Sequence, residues 1–177
     1  MIQFRRIYLI GFMGSGKTTA GKKLATTLGW PFLDLDDIIE QKYSKSIEEI
    51  FMLSGEKTFR EYEKSCLHNL GTEEDTVVSA GGGAPCFSDN MTFMNQTGRV
   101  VYLRMSPLQL KERLLSDPKP RPLLKGLNPS ELERYIELKL SEREAFYNQA
   151  FLIEDGYDLD ISKLAKKIIQ LFSVRRK

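Results

Sequence analysis

The chain of 177 residues carries 26 basic and 24 acidic side chains, a net charge of +2, with 41% hydrophobic and 28% charged residues. That length fits one domain with room for a buried core, and the charge balance gives no general drive toward nucleic acid or a membrane surface. Two cysteines, Cys66 and Cys86, are too few for a disulfide framework, and no run approaches the roughly 18 apolar residues of a membrane span, so a cytoplasmic protein is the expectation.

In chain order, Ile7–Ile10 is the first short apolar run of the kind that forms a buried strand. It leads into Gly11-Phe12-Met13-Gly14-Ser15-Gly16-Lys17-Thr18, which fits the phosphate-loop pattern G-x-x-x-x-G-K-[ST] without a mismatch. At ordinary residue frequencies a chance match in a chain this long is on the order of one percent or less. Lys17–Leu28 reads as the helix the motif requires. The glycines allow successive N–H groups to turn inward around phosphate oxygens, and the helix adds its unpaired first N–H groups. Lys17 is expected at the β/γ-phosphates and the Thr18 hydroxyl on Mg²⁺.

Further apolar bursts fall at 32–35, 77–78, 100–103 and 151–153. Helical spacing covers 47–53, 59–70, 108–115, 132–147 and 164–172. Strands alternating with helices imply a parallel sheet covered on both faces, a three-layer α/β arrangement in a single domain over 1–177. Ser106-Pro107 and Asn128-Pro129-Ser130 read as helix starts. Pro118, Pro120 and Pro122 at every second position exclude a helix and suggest an extended surface flap. Arg175-Arg176-Lys177 reads as a solvated basic tail.

His68 is the only histidine and is expected on a helix surface, which leaves a carboxylate or lysine as general base. Asp34 and Asp36, two apart in a strand, would leave the sheet on one side, at the strand end where open α/β sheets bind ligands. Asp37 is expected to face elsewhere and to cap a helix beginning near Ile38. The strand at 77–78 runs into Gly81-Gly82-Gly83 and carries no aspartate of the kind that supports Mg²⁺ in many phosphate-loop proteins, which assigns that task to Asp34. Arg60, Arg121 and Arg143 are the candidates for gripping carboxylate or phosphate, since a planar guanidinium does so in bidentate fashion.

These residues together resemble the shikimate kinases. The resemblance runs from Ile7 to about Ala150 and rests on Gly11 to Thr19, the Asp34/Asp36 pair, Gly55-Glu56 with Phe59-Arg60, the three glycines, Arg121-Pro122-Leu123-Leu124, and Arg143 with Tyr147 and Ala150. It implies a nucleoside monophosphate kinase-like sheet in the order 2-3-1-4-5 with a mobile lid at about 116–126. It also implies ATP-dependent phosphorylation of shikimate at its 3-hydroxyl; shikimate and ATP are the expected partners, with no nucleic acid and no membrane, and a monomer is expected. Gly14, Ser15, Gly16, Lys17, Thr18 and Thr19 would surround the phosphates, with Arg113 near the adenine and Arg121 reaching in from the lid. Asp36 would hold the reacting hydroxyl and act as base; with Lys17 and Arg121 it would form the catalytic set. Arg60, Arg143, Gly82 and Gly83 would bind the acid, and Thr18 and Asp34 would hold Mg²⁺.

Two positions depart from the family pattern. Ala145 replaces a usual proline, and Ile153-Glu154-Asp155-Gly156-Tyr157 stands where an Asp-Thr often borders the adenine. A gluconate-type kinase is disfavoured by the Asp34/Asp36 pair, the Phe59-Arg60 segment and the glycine run. A non-catalytic nucleotide switch is disfavoured by the presence of both Asp36 and Arg121.

Overall fold

The computed structural model describes residues 6–71, 75–118 and 121–173. Lys119 and Pro120 of the flap and the basic tail at 175–177 lie outside the described residues. Among the described residues five strands, β1 (Ile7–Ile10), β2 (Phe32–Asp34), β3 (Val77–Ser79), β4 (Arg99–Arg104) and β5 (Leu152–Asp155), form one sheet in the order β2-β3-β1-β4-β5. Every pairing is parallel, with Ile7 opposite Val77 on one side and Arg99 on the other. The α/β architecture and strand order match the expectation.

Among the described residues seven α-helices join and cover the strands: α1 (Lys17–Leu28), α2 (Leu35–Tyr43), α3 (Ile47–His68), α4 (Asn90–Thr97), α5 (Pro107–Ser116), α6 (Pro129–Tyr147) and α7 (Ile161–Ser173). Alternation along the buried strands divides the core into two layers. Ile7 and Leu9 of β1, with Val101 and Leu103 of β4, pack against Leu24 of α1 and Leu164 and Ile168 of α7. Tyr8 and Ile10, with Val100 and Tyr102, face the other way onto Ile39 of α2, Leu67 of α3 and Met94 of α4. A third cluster joins Phe12 of the phosphate loop to Leu110 and Leu114 of α5 and Ile136 of α6. The loop is thereby packed from below as well as held by its backbone.

The predicted helix starts hold. Ser106 and Asn128 each close a reciprocal capping box, with Gln109 and Glu131, and Pro107 and Pro129 occupy the first turn. Two readings are corrected. The strand at 32–35 stops at Asp34, because Asp34 caps α2 by accepting from Asp36 N at 3.1 Å, and Leu35 is already helical. Asp34, not Asp37, is therefore the cap. The two helical stretches at 47–53 and 59–70 hold: within α3 one helix ends and another begins at Gly55 (φ 77°, ψ 171°). Helix α4 is an addition: its eight residues bury only Asn90, Met91 and Met94, too little periodicity to mark it. His68 is only partly exposed. It stacks on Phe93 with ring centroids 4.1 Å apart and contacts Asn90 Oδ1 at 3.1 Å.

Candidate active site

Strands β1 and β3 deliver the phosphate loop and the glycine run side by side at their C-terminal ends, the crevice where open α/β sheets bind ligands. Gly16, at φ 85°, caps α1 in a backbone region closed to side chains, and a Cβ there would meet Arg113 Nη1 at 2.9 Å. Lys17 follows directly. Its ammonium donates to the carbonyls of Gly11 and Phe12 at 2.9 Å each. Burial lowers the Lys17 pKa to about 8, against the raising pull of nearby Asp36, while Arg121 pushes it further down.

Thr18 opens α1 to solvent and donates its hydroxyl to Asp34 Oδ2 at 2.7 Å. The second oxygen of Asp34 holds the first turn of α2 through Asp36 N. One carboxylate thus links the phosphate loop to the segment that carries Asp36. The two aspartates reach the same crevice across a strand-to-helix junction rather than from one face of a strand, which corrects the period-two argument. Asp37 also faces this crevice, contrary to expectation, because the helix turns it there.

Two cavities meet here. The larger, about 540 Å³, is lined by Gly14, Gly16, Lys17, Thr18, Asp34 and Arg113 among others. The smaller, about 100 Å³, is lined by Phe51, Phe59, Arg60, Glu63, Gly83 and Arg143. Met13, Asp36, Gly81, Gly82 and Arg121 border both. Thr19 lines the larger cavity too, and Ser15 lies in an adjoining recess with Arg113, Gly156 and Tyr157. All the residues singled out in the sequence are therefore brought to one continuous site.

The smaller cavity sets charged side chains, Arg60, Glu63 and Arg143 among them, between apolar walls. Arg60 Nη1 pairs with Glu63 Oε2 at 2.8 Å and Nη2 with Glu56 Oε1 at 3.1 Å. A Cβ on Gly83 would fall 2.4 Å from the Arg60 guanidinium, so only glycine admits this approach. Arg143 lies with its guanidinium 5.3 Å from the Phe12 ring centroid, and its buried Nη1 has no hydrogen-bond partner. Glu63 is fully buried, and one of its oxygens is likewise unpartnered. Burial raises the Glu63 pKa to about 7 although Arg60 pulls it back. For Arg60 burial is outweighed by Glu63 and Glu56, which hold its pKa above the usual value. The unpartnered Nη1 of Arg143 is a buried donor of the kind that a carboxylate oxygen satisfies.

Sequence reasoning missed Glu63, because a glutamate in a charged helix reads as a solvated face; its spacing of three from Arg60 was the available signal. Arg121, at the start of a short 3₁₀ turn (Pro122–Leu124), pairs with Asp117 Oδ2 at 2.7 Å and borders both cavities. Arg113 donates to the carbonyls of Gly156 and Tyr157 at 3.2 Å each and lies 5.5 Å from the Tyr157 ring centroid. Arg113 thus stands between the divergent segment at the end of β5 and the glycine that caps α1.

A five-stranded parallel sheet in this order, with a glycine loop, a buried lysine and a facing acidic pair, defines a phosphate-loop kinase. The chain belongs to the shikimate kinase family: the family model for shikimate kinase matches residues 13–173. Its activity is the ATP-dependent phosphorylation of shikimate in aromatic biosynthesis. Shikimate kinase of Parabacteroides distasonis is 44% identical over 172 residues, covering 93% of this chain and 99% of its own. That of Bacteroides fragilis is 49% identical over 167 residues, covering 94% and 93%. Among solved structures, shikimate kinase from Bacteroides thetaiotaomicron superposes with a TM-score of 0.87 at 42% identity, over 95% of this chain and 98% of that one. The enzyme from Acinetobacter baumannii, solved in complex with shikimate, gives 0.84 at 38% identity, over 98% and 96%. A gluconokinase from Sinorhizobium meliloti reaches 0.59 at 15% identity, a likeness of fold alone.

Proposed function

We propose that phosphate is transferred from ATP to the 3-hydroxyl of shikimate where the two cavities meet, with Asp36 as general base. The observation that carries this reading is that Asp36 and Arg121 border both cavities. In it, the triphosphate occupies the larger cavity along Gly14, Ser15, Gly16, Thr18 and Thr19, and the acid occupies the smaller one. Arg60 and Arg143 grip the acid's carboxylate, and the backbone of Gly82 and Gly83 borders its ring. Asp36 then accepts the proton of the attacking hydroxyl. Phosphoryl transfer needs little covalent help from the protein, so positioning and charge dominate. Lys17 exchanges its two carbonyl partners for phosphate oxygens, and Arg121 supplies a planar fork to the charge that spreads over the transferring group.

The donors at Thr18 suit a hard divalent cation, for an alcohol oxygen and a carboxylate oxygen stand 2.7 Å apart at the cavity wall. Mg²⁺ typically takes one or two protein oxygens and completes its shell with phosphate and water. Thr18 would hold it directly and Asp34 through water; when bound, it would neutralise charge on the β- and γ-phosphates. Among the described residues no group of three carboxylates, cysteines or histidines forms a metal site of its own. Arg113, between the phosphate loop and Tyr157, borders the recess suited to the adenine. Residues 116–126 would serve as the lid, with Gly126 at φ 85° as its hinge. Nothing in this chemistry calls for a second subunit, nucleic acid or membrane, and among the described residues no helix is long and apolar enough to cross a membrane.

Product mapping by phosphorus and proton NMR tests the assignment. Coupling of the new phosphate to the proton at carbon 3 is expected; phosphate on another hydroxyl would place the acid differently against Asp36.

A further inference from the structure

The Arg60 guanidinium already holds two carboxylates, and they are not equivalent. Glu63, on Nη1, is fully buried and belongs to the same turn of α3. Glu56, on Nη2 at 3.1 Å, has a half-exposed side chain, 52% open to solvent. A bidentate grip on a third carboxylate needs two adjacent N–H groups of one guanidinium. Nη1 cannot be released without stranding a buried charge, whereas Nη2 can be released into water at little cost.

The backbone provides the means. Gly55 immediately precedes Glu56 and sits at φ 77° and ψ 171°, inside α3 but outside helical geometry, with nothing within 4 Å of where its Cβ would be. The turn that carries Glu56 is therefore joined to the preceding turn by a pivot in open space, while Phe59 and Arg60 beyond it are buried.

We propose that Glu56 is an internal stand-in for the substrate's carboxylate, seated on Arg60 Nη2 and displaced when the acid binds. The inference rests on the reading of Arg60 as carboxylate clamp. It makes Glu56 a specificity-determining residue. An incoming group must match a carboxylate to replace one, so a neutral analogue leaves Glu56 in place and forfeits the grip. Arg60 meanwhile stays charge-paired and ordered between turnovers.

Steady-state kinetics with shikimate and with its methyl ester, on wild type, Glu56→Gln, Glu56→Ala and Arg60→Ala, test it. Removing the competing charge should lower the KM for shikimate about two- to fivefold, the change that a half-exposed ion pair corresponds to. The KM for the ester should stay unchanged in both Glu56 variants. A merely structural Glu56 would instead raise the KM for the acid, or move acid and ester together, and either result overturns the proposal. Arg60→Ala separates the two layers of the argument. If it raises the acid KM while the Glu56 variants do not lower it, the displacement fails and the clamp stands. If Arg60→Ala leaves the acid KM unchanged, the clamp fails and the displacement with it.

Discussion

The hydroxyl of Tyr147, the last residue of α6, donates to the carbonyl of Gly82 at 2.5 Å. One turn earlier on the same helix stands Arg143, so this bond ties the helix that carries Arg143 to the glycine run opposite it. Burial raises the phenol's pKa well above its ordinary value, which keeps it a donor throughout the working pH range. Tyr147→Phe should lower stability by about 1–3 kcal/mol, because the Gly82 carbonyl loses its partner. It should also raise the KM for the acid more than it lowers kcat. Thermal unfolding and kinetics on one preparation check this; an unaltered melting temperature would remove the bond from the account.

Lys17→Ala should nearly abolish phosphoryl transfer, and although it also removes two hydrogen bonds to the Gly11 and Phe12 carbonyls, the packing of Phe12 should keep the chain folded. A second readout follows from its lowered pKa of about 8. Phosphate oxygens favour the charged ammonium, so ATP binding near pH 8 should take up protons, and affinity should decline as pH rises past that value. Calorimetry in buffers of different ionisation enthalpy measures the uptake. Wild type and Lys17→Ala taking up equal numbers of protons would contradict it.

Asp36→Asn should reduce kcat by about 10²–10⁴-fold with ATP binding retained, because the amide keeps shape and a hydrogen bond but cannot accept the proton. A fall of less than tenfold would leave Asp36 a positioning role only.

The frame of this molecule was readable because its signals are local. The run Ile7–Ile10, the glycine loop and Lys17–Leu28 have the bounds that residue pattern indicates, and the two Ser/Asn-Pro helix starts cap as their types require. The acidic pair was placed at the right crevice by the wrong geometry. Strand spacing and an N-cap followed by a first helical turn both present residues i and i+2 to one crevice, and nothing local separates them. What escaped was tertiary. Glu63 acquires its meaning from Gly81, where a Cβ would fall 2.2 Å from its carboxylate, and from burial that no helical period reports. The break at Gly55, by contrast, was legible as the gap between two helical stretches.

Glu63 also predicts a pH dependence. Its folded pKa of about 7 lies above the ordinary 4.5, so between these values the folded state binds the extra proton. Stability should therefore fall as pH rises from about 5 to 7, by an amount on the order of 1–3 kcal/mol from this group. Glu63→Gln should flatten that slope. Urea midpoints across the range measure it, and parallel profiles for the two proteins would show that Glu63 titrates as an ordinary carboxylate.

The central claim is that the crevice joins ATP to one particular hydroxy acid. Its most direct test is coupled ADP release measured side by side with shikimate, gluconate, quinate and no acceptor. Fast turnover with shikimate is predicted, with gluconate and quinate far slower and little release without acceptor. Comparable rates with gluconate and shikimate would contradict the account.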